Sequence, residues 1–292
     1  MIGAIIGDIC GSYLEVLEAR AKDGENGKRS YQERIQILDP KTSLFTDEVQ
    51  YTDDTCLTVA VADALLHNQD YEAYIKEYGL KEMNIGMAEF GRSRFGSGVI
   101  AWLKGEGDGI SYGNGGAMRV SPIGLYYNSF DKIMEEAKKS AIPTHNHEEA
   151  ITSAQAVACA VFLARMHTPK KEIKEYIEKT FGYDLNYSLE QLQKEYRFTS
   201  RSSESIPQAL FCFLESNSFE DALRKSLSIG GDSDTIASIA GALGECYYGV
   251  PESFVEKMRE YIPPYMLDVV DQFYRRTKTS NNKDIRVYEK SY

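Results

Sequence analysis

Apolar side chains recur along most of this chain at the spacing of an α-helix. In the segment 55–67, Leu57, Val61 and Leu65 fall on one face of a helix. Few stretches alternate apolar and polar residues in the way that a half-buried strand does. The pattern therefore predicts an all-α protein, with helices over residues 55–67, 150–166, 170–181, 219–228 and 235–247.

The predicted helices differ in how much of their surface is apolar. Segment 150–166 is apolar almost all round, as expected of a central helix. Segment 170–181 carries many Lys and Glu residues on one side, and we expect that side to face solvent. Ser218 is a candidate N-cap for the helix that follows it, with Asp221 three residues further on.

Two polar stretches, 18–50 and 183–205, separate predicted helices and are expected to be loops. Neither has the length or composition of an interdomain linker. No repeat of fixed period is present. We therefore predict one compact domain spanning residues 1–292.

Composition narrows the classes of partner. The net charge of −11 opposes nonspecific binding of nucleic acid, which needs a positive surface. No apolar run approaches the roughly 20 residues of a membrane span. Segment 1–11 lacks a basic region and is interrupted by Asp8, so it is a poor signal peptide. The five cysteines are widely spaced, without a CxxC pair, and are expected to be free thiols of a cytoplasmic protein.

Two short motifs place carboxylates directly before apolar helices. The first, YTDDT, spans residues 51–55, and the second, GGDSDT, spans residues 230–235. One carboxylate at a helix start is an ordinary cap, so two independent N-caps are one interpretation. Two carboxylates and a hydroxyl exceed what one cap needs. The side chains concerned are Thr52, Asp53, Asp54, Asp232, Asp234 and Thr235.

If the two motifs meet, their four carboxylates suit a pair of divalent cations. Mg²⁺, Mn²⁺ and Ca²⁺ prefer oxygen ligands, and two ions about 4 Å apart need bridging and terminal carboxylates. Without metal, the carboxylates would repel one another and take up protons. Small residues such as Ala60, Ala237 and Gly241 would let the two helices pack closely. Because the motifs lie near opposite ends of the sequence, the chain must fold back on itself.

A glycine-rich segment, 107–119, is a candidate ligand loop. It is neither a P-loop nor a dinucleotide fingerprint, since no Gly-Lys-Ser/Thr follows and no strand precedes it. Gly113, Gly115 and Gly116 would let backbone N–H groups face a ligand such as a diphosphate. From composition alone, a flexible turn before a helix is the favoured interpretation.

Two further motifs gain no role from their residue types alone. Asp8 and Glu15 lie about two helical turns apart and so share a face. Asp8 is interpreted as satisfying a buried polar partner and Glu15 as facing solvent. His145 and His147 are two residues apart, but zinc would need further ligands, so a helix start at His145 or Asn146 is the simpler interpretation.

Together, the motifs GDICGSYLE, YTDDT, SYGNGGAMR, PTHNH and GGDSDTIA resemble those of the ADP-ribosylglycohydrolase family, in the family's order. The resemblance runs from residue 3 to about residue 250. It implies an all-α orthogonal helical bundle with a binuclear Mg²⁺ or Mn²⁺ centre. It also implies hydrolysis of the bond between C1″ of the distal ribose of ADP-ribose and a protein side chain or other acceptor.

The resemblance further implies roles for individual residues. The first metal motif is matched by Thr52, Asp53 and Asp54, and the second by Asp232, Asp234 and Thr235, with Ser233 where Thr is frequent. Glu15 matches a glutamate that lies by the metals and gates access of the substrate in one branch. The catalytic residues expected are Glu15, Asp53 and Asp54. The residues expected to bind the substrate are Ser111, Tyr112, Gly113, Asn114, Gly115, Gly116 and His145.

The SYGNGGAMR loop and the position of Glu15 resemble the branch that acts on O-linked ADP-ribose, meaning serine adducts, O-acetyl-ADP-ribose and poly(ADP-ribose). The expected partners are therefore ADP-ribosylated proteins or ADP-ribose conjugates, not nucleic acids or membranes. An ADP-ribosyl-arginine hydrolase is the alternative within the family. The alternatives outside it are another Mg²⁺-dependent nucleotide phosphohydrolase and a noncatalytic ADP-ribose-binding protein. The presence of all the matched acidic ligands argues against a noncatalytic protein.

Overall fold

The computed structural model describes residues 1–20, 25–90 and 95–280 of the 292-residue chain. These residues form sixteen helices and no β-strand, so the all-α prediction is confirmed. The prediction of a single domain over 1–292 stays a prediction, since its last twelve residues, 281–292, lie outside the described part. None of the described helices is both long enough and apolar enough to cross a membrane.

The helices in chain order are α1 (Ile2–Arg20), α2 (Glu25–Gln36), α3 (Asp53–Leu66), α4 (Tyr71–Phe90), α5 (Ser97–Leu103), α6 (Gly115–Met118), α7 (Ser121–Tyr126), α8 (Phe130–Ala141), α9 (Glu148–Arg165), α10 (Lys170–Phe181), α11 (Leu189–Glu195), α12 (Ser202–Leu214), α13 (Phe219–Ile229), α14 (Ser233–Tyr248), α15 (Glu252–Tyr261) and α16 (Pro264–Ser280).

All five helices predicted from apolar spacing are present, as α3, α9, α10, α13 and α14. Ser218 accepts a hydrogen bond from the Asp221 N–H at 3.1 Å and caps α13, as predicted. The expected helix start near His145 is displaced. The N-cap of α9 is His147, whose Nδ1 accepts the Glu149 N–H at 3.2 Å.

The prediction that residues 18–50 and 183–205 are loops is wrong in part. Helices α2 and α11 lie within these stretches, and α1 and α12 extend into them. Although α2 is polar, its Arg34 is buried and donates to the carbonyls of Ser228 at 3.2 Å and Ile229 at 2.7 Å. Those carbonyls end α13 and lack partners within their own helix. A tertiary contact therefore holds α2 in place, where the apolar pattern gives no sign of a helix.

Helices α1 and α14 lie together at the centre of the fold. Along α1, Gly3, Gly7 and Gly11 face α14. A Cβ at Gly7 would overlap the Ala237 carbonyl oxygen. A Cβ at Gly11 would lie 2.5 Å from the Asp234 Cα. Only glycine permits this close approach, which places the middle of α1 beside the N-terminus of α14.

The N-terminus of α3 reaches the same place. Almost all of α3 from Asp54 to Leu65 is buried, with α1, α4 and α16 packed around it. Thr235, at the start of α14, donates a hydrogen bond to Asp54 over 3.1 Å. The starts of α3 and α14 and the middle of α1 therefore converge on one point.

Candidate active site and metal centre

The start of α3 is held by a carboxylate from α1. Thr52 caps α3, because its Oγ1 accepts the Asp54 N–H at 3.3 Å. Asp8 accepts hydrogen bonds from the N–H groups of Thr52 at 2.9 Å and Thr55 at 3.0 Å, and from both hydroxyls. Three of these contacts go to Oδ2 and one to Oδ1, and together they fix α3 against α1.

The start of α14 is built differently. Asp232 occupies the N-cap position, but its side chain makes no capping hydrogen bond. Its Oδ2 instead accepts from the side-chain amide of Asn114 at 2.7 Å. The same amide donates to Ser205 on α12 at 3.2 Å. The Asp232 carboxylate is therefore not a simple helix cap, which was the other interpretation that the sequence allowed.

The carboxylates at this point form two groups of three that share Asp234. One group contains Asp8, Asp54 and Asp234, and its carboxylate oxygens lie within 4.8 Å of one another. The other group contains Glu15, Asp232 and Asp234, with its oxygens within the same distance. The structure thus brings the two motifs together with Glu15 and with Asp8.

The buried carboxylates are costly as anions. Burial and the neighbouring charge of Asp234 raise the pKa of Asp8 to about 7 and of Asp53 to about 8. Burial and the same neighbour raise the pKa of Asp54 and Asp232 well above the usual range. Burial also raises the pKa of Asp234 itself. A bound cation would stabilise the ionised form of these groups.

The side chains present fit a divalent cation. Asp54 Oδ1 is buried and has no hydrogen-bond partner among the described residues, which costs free energy unless a ligand completes it. The Thr52 hydroxyl lies 3.4 Å from Asp234 Oδ2, and the Thr235 hydroxyl bonds Asp54. Carboxylate and hydroxyl oxygens are ligands that hard cations such as Mg²⁺ and Mn²⁺ prefer.

A cavity of about 680 Å³ adjoins the carboxylates, a volume in the range of small-molecule sites. Its wall contains most of the residues expected from sequence, namely Glu15, Thr52, Asp53, Asp54, Ser111, Gly113, Asn114, Gly115, His145, Asp232, Asp234 and Thr235. Asp53 lines the cavity but belongs to neither group of three. Tyr112 and Gly116 lie outside the wall, and Tyr112 is 57% exposed.

The glycine-rich segment forms part of this wall and is tied to the residues before α12. The Asn114 N–H donates to the Ser200 carbonyl at 2.8 Å. The Gly113 N–H donates to the Ser111 hydroxyl at 3.1 Å. These two backbone donors are used within the protein, which leaves the N–H groups at the start of α6 as the candidates to face a ligand.

His145 lies in the cavity wall, before the N-cap of α9. Its ring is buried and packs against Gly115, where a Cβ would lie 2.7 Å from the ring. Burial, with the charge of Arg119 added, lowers the pKa of His145 to about 3. The ring is therefore neutral near pH 7, when its nitrogens offer one donor and one acceptor.

Sequence reasoning missed several residues of the site. The signal for Asp8 is a lone charge in an apolar helix, which does not reveal its contacts with Thr52 and Thr55. Phe95 and Phe198 also line the cavity, next to α5 and before α12. Nothing in the sequence around these two aromatic residues marks them, because only the packing of distant segments brings them to the cavity.

Known proteins are similar to this chain over most of its length. The ADP-ribosylglycohydrolase family model matches residues 1–283. ADP-ribosylhydrolase ARH3 of Mus musculus is 30% identical over 87% of this chain and 85% of its own. ADP-ribosylarginine hydrolase Tri1 of Pseudomonas putida (strain GB-1) is 25% identical over 72% of this chain and 62% of its own. A solved structure described as an ADP-ribosylglycohydrolase-related protein complex shares the fold, with a TM-score of 0.61 at 20% identity over 94% of this chain and 97% of that one.

The all-α fold and the clustered acidic side chains beside a ligand-sized cavity fit a metal-dependent enzyme. The chain belongs to the ADP-ribosylglycohydrolase family, as its motifs predicted. It is a hydrolase of ADP-ribosyl bonds.

Proposed function

We propose that this protein hydrolyses O-linked ADP-ribose with two divalent cations held between α1, α3 and α14. The observation that carries the proposal is the sharing of Asp234 by two groups of three carboxylates. A shared carboxylate suits two ions, because it can bridge them at a separation of about 4 Å. Mg²⁺ and Mn²⁺ are the ions that we expect this oxygen-rich set to hold.

The proposed ligands come from both motifs and are Thr52, Asp53, Asp54, Asp232, Asp234 and Thr235. Asp54 offers the oxygen that has no other described partner. Asp232 is held by Asn114 through its Oδ2 and lies in one group with Asp234 and Glu15. Asp8 is proposed to position α3 through the hydrogen bonds that it accepts. Three of them go to its Oδ2, and among the described residues its Oδ1 accepts only the Thr52 hydroxyl, so Oδ1 keeps a position for the cation of its group.

When bound, the cations would orient the 2″ and 3″ hydroxyls of the distal ribose and lower the pKa of a water molecule near C1″. Glu15 lines the cavity beside Asp232 and Asp234 and takes a proton from that water as its oxygen attacks C1″. The bond from C1″ to the acceptor oxygen breaks with its electron pair, and Glu15 returns a proton to that oxygen. Positive charge develops on the sugar, and the neighbouring carboxylates stabilise it.

The rest of the substrate would lie along the cavity wall. The start of α6, together with Ser111 and His145, is proposed to hold the diphosphate and the distal ribose. The exposed ring of Tyr112 lies at the edge of this loop and is proposed to stack on a ring of the substrate. The buried free thiols of Cys10, Cys56, Cys159 and Cys212 support a cytoplasmic location.

The proposal of an O-linked acceptor rests on the SYGNGGAMR loop and on Glu15. It is supported by the match to ADP-ribosylhydrolase ARH3 of Mus musculus, at 30% identity over 87% of this chain, against 25% over 72% for ADP-ribosylarginine hydrolase Tri1. The match to the latter keeps an arginine-linked acceptor as the second candidate.

A side-by-side assay of serine-, arginine- and acetyl-linked ADP-ribose tests the proposal. We expect free ADP-ribose as the product, fastest from the O-linked conjugates, with loss of turnover in EDTA and recovery with Mg²⁺ or Mn²⁺. Undiminished turnover after rigorous metal removal would contradict the metal mechanism. Faster hydrolysis of the arginine conjugate than of the O-linked conjugates would contradict the proposal of an O-linked acceptor.

Glu15→Gln provides the matched catalytic variant for this assay. We expect kcat to fall by about 10²–10⁴, the usual contribution of a general base, and metal affinity to fall less than kcat. Glu48→Gln removes an exposed carboxylate from the segment before α3 and is the control, expected to keep full activity. Equal losses of kcat and metal affinity in Glu15→Gln would make Glu15 a metal ligand instead of the base.

A further inference from the structure

A chain of three polar side chains ends at the His145 ring. Arg119, fully buried, donates from Nη2 to the Thr144 hydroxyl at 2.9 Å and to the Ser140 carbonyl at 2.7 Å. The Thr144 hydroxyl lies 2.7 Å from His145 Nδ1. Thr144 is 4% exposed and His145 6% exposed, so bulk water has little access to these contacts.

The direction of these hydrogen bonds follows from what each group can do. An arginine has only donors, so the Thr144 oxygen accepts from Arg119. The Thr144 O–H needs an acceptor, and His145 Nδ1 is the remaining partner of that hydroxyl among the described residues. His145 Nδ1 therefore accepts, and the neutral ring carries its proton on Nε2.

The Nε2 side of the ring faces the ligand loop. A Cβ built on Gly115 would lie 2.8 Å from His145 Nε2, and one built on Gly113 would lie 3.5 Å from it. Both glycines and His145 line the cavity. Nε2 therefore lies next to the loop in the cavity wall, and it is here that we place an acceptor of the ligand.

We propose that Arg119 and Thr144 are positioning residues, which hold His145 in the Nε2–H form so that it donates to an oxygen of the bound ADP-ribosyl group. The identity of the ligand rests on the proposed function, whereas the form of the ring does not. A fixed donor loses no free energy to ring flipping or tautomer exchange when the ligand binds. The buried charge of Arg119 also disfavours an imidazolium beside it.

Long-range ¹H–¹⁵N correlation spectra of the unliganded protein test the form of the ring directly. The chain has four histidines, so His145→Gln assigns the His145 signals. We expect an acceptor-type Nδ1 and a protonated Nε2 that do not change between about pH 5 and 8. A protonated Nδ1 in the wild type would overturn the proposal.

Thr144→Val removes the hydroxyl at nearly constant volume, and Thr144→Ser is its matched control because it keeps the hydroxyl. In Thr144→Val we expect mixed tautomers and a Kd for ADP-ribose raised about 3- to 10-fold, the loss of a typical hydrogen bond. Thr144→Ser should keep the wild-type spectrum and stay near the wild-type Kd. Unchanged His145 signals in folded Thr144→Val would contradict the positioning role. If the wild-type protein gave the expected spectrum but did not bind ADP-ribose, the proposal that the ligand is an ADP-ribosyl group would be contradicted, and the proposed function with it.

Discussion

Asp234 is the one side chain that belongs to both carboxylate groups of the described site. Its Oδ1 accepts the Thr235 N–H at 2.8 Å, and the Thr52 hydroxyl lies 3.4 Å from Oδ2. Its charge adds to burial in raising the pKa of Asp8, Asp53 and Asp54. At the residue scale, the charge of Asp234 therefore adds to the repulsion among the carboxylates, and the same charge contributes to the proposed binding of metal.

Asp234→Asn is expected to separate these two effects. The amide oxygen can still accept the Thr235 N–H, but the negative charge is gone. In EDTA the thermal midpoint should rise, because repulsion falls. Affinity for Mn²⁺ should fall more than about 100-fold, beyond the loss typical of an outer-shell contact. Calorimetric melts with and without Mn²⁺ measure both.

The control for Asp234→Asn is Asp131→Asn, which removes an exposed carboxylate in the first turn of α8. This variant should keep the wild-type response to Mn²⁺. If Asp234→Asn showed the same rise in midpoint with Mn²⁺ as the wild type, Asp234 would not be a ligand.

At the scale of elements, the packing of α1 on α14 positions the site. Glycines on α1 face α14, and Gly7 lies next to Asp8, the residue that holds the start of α3. Helix α1 also carries Glu15, whereas α14 begins beside Asp234. The separation of the two helix axes therefore sets the distance between carboxylates of both groups.

Gly7→Ala should widen this contact. The added methyl would overlap the Ala237 carbonyl, and backbone cannot yield as a flexible side chain can. We expect a loss of about 1–3 kcal/mol or more in the free energy of unfolding, together with weaker metal binding. Urea unfolding and Mn²⁺ titration measure the two effects.

Gly98→Ala on α5 is the matched control for this packing, since a Cβ there meets no atom within 4 Å. It should leave stability unchanged or slightly raised, because alanine favours a helix over glycine. Equal stability of the Gly7 and Gly98 variants would show that the close contact of α1 and α14 is not required.

At the scale of the whole molecule, the proposed metal ligands come from parts of the chain that meet only after folding. Thr235 and Asp54, joined by a hydrogen bond, are 181 positions apart in the sequence. An unfolded chain cannot present such a set, so metal binding and folding are coupled. The free energy of unfolding should then depend on metal concentration.

The slope of that dependence counts the ions. Above saturation, each tenfold rise in free Mn²⁺ should add about 1.4 kcal/mol to the free energy of unfolding for every ion released. Two ions predict about 2.8 kcal/mol per tenfold rise. Chemical denaturation at a series of buffered Mn²⁺ concentrations gives the slope. A slope near 1.4 kcal/mol per tenfold rise would indicate a centre with one ion and contradict the proposal of two.

The sequence predicted the helices whose apolar faces are local properties, such as α9 and α13. It failed for α2, where Arg34 makes its stabilising contacts with carbonyls at the end of α13. Among site residues, the carboxylates of both motifs were visible because several acidic side chains before an apolar helix are unusual. The role of Asp8 was not, because its partners Thr52 and Thr55 lie more than 40 positions away.

The sequence by itself determined the helical class, the two carboxylate motifs and the family, because spacing and residue type are written along the chain. Tertiary structure alone decided that Asp234 is shared by two groups, that Asp8 holds α3, and that Arg119 reaches Thr144, the neighbour of His145. These are distances between residues far apart in the chain or on different elements. They exist only once glycine contacts bring α1 against α14 and the hydrogen bonds of Asp8 fix α3 beside them.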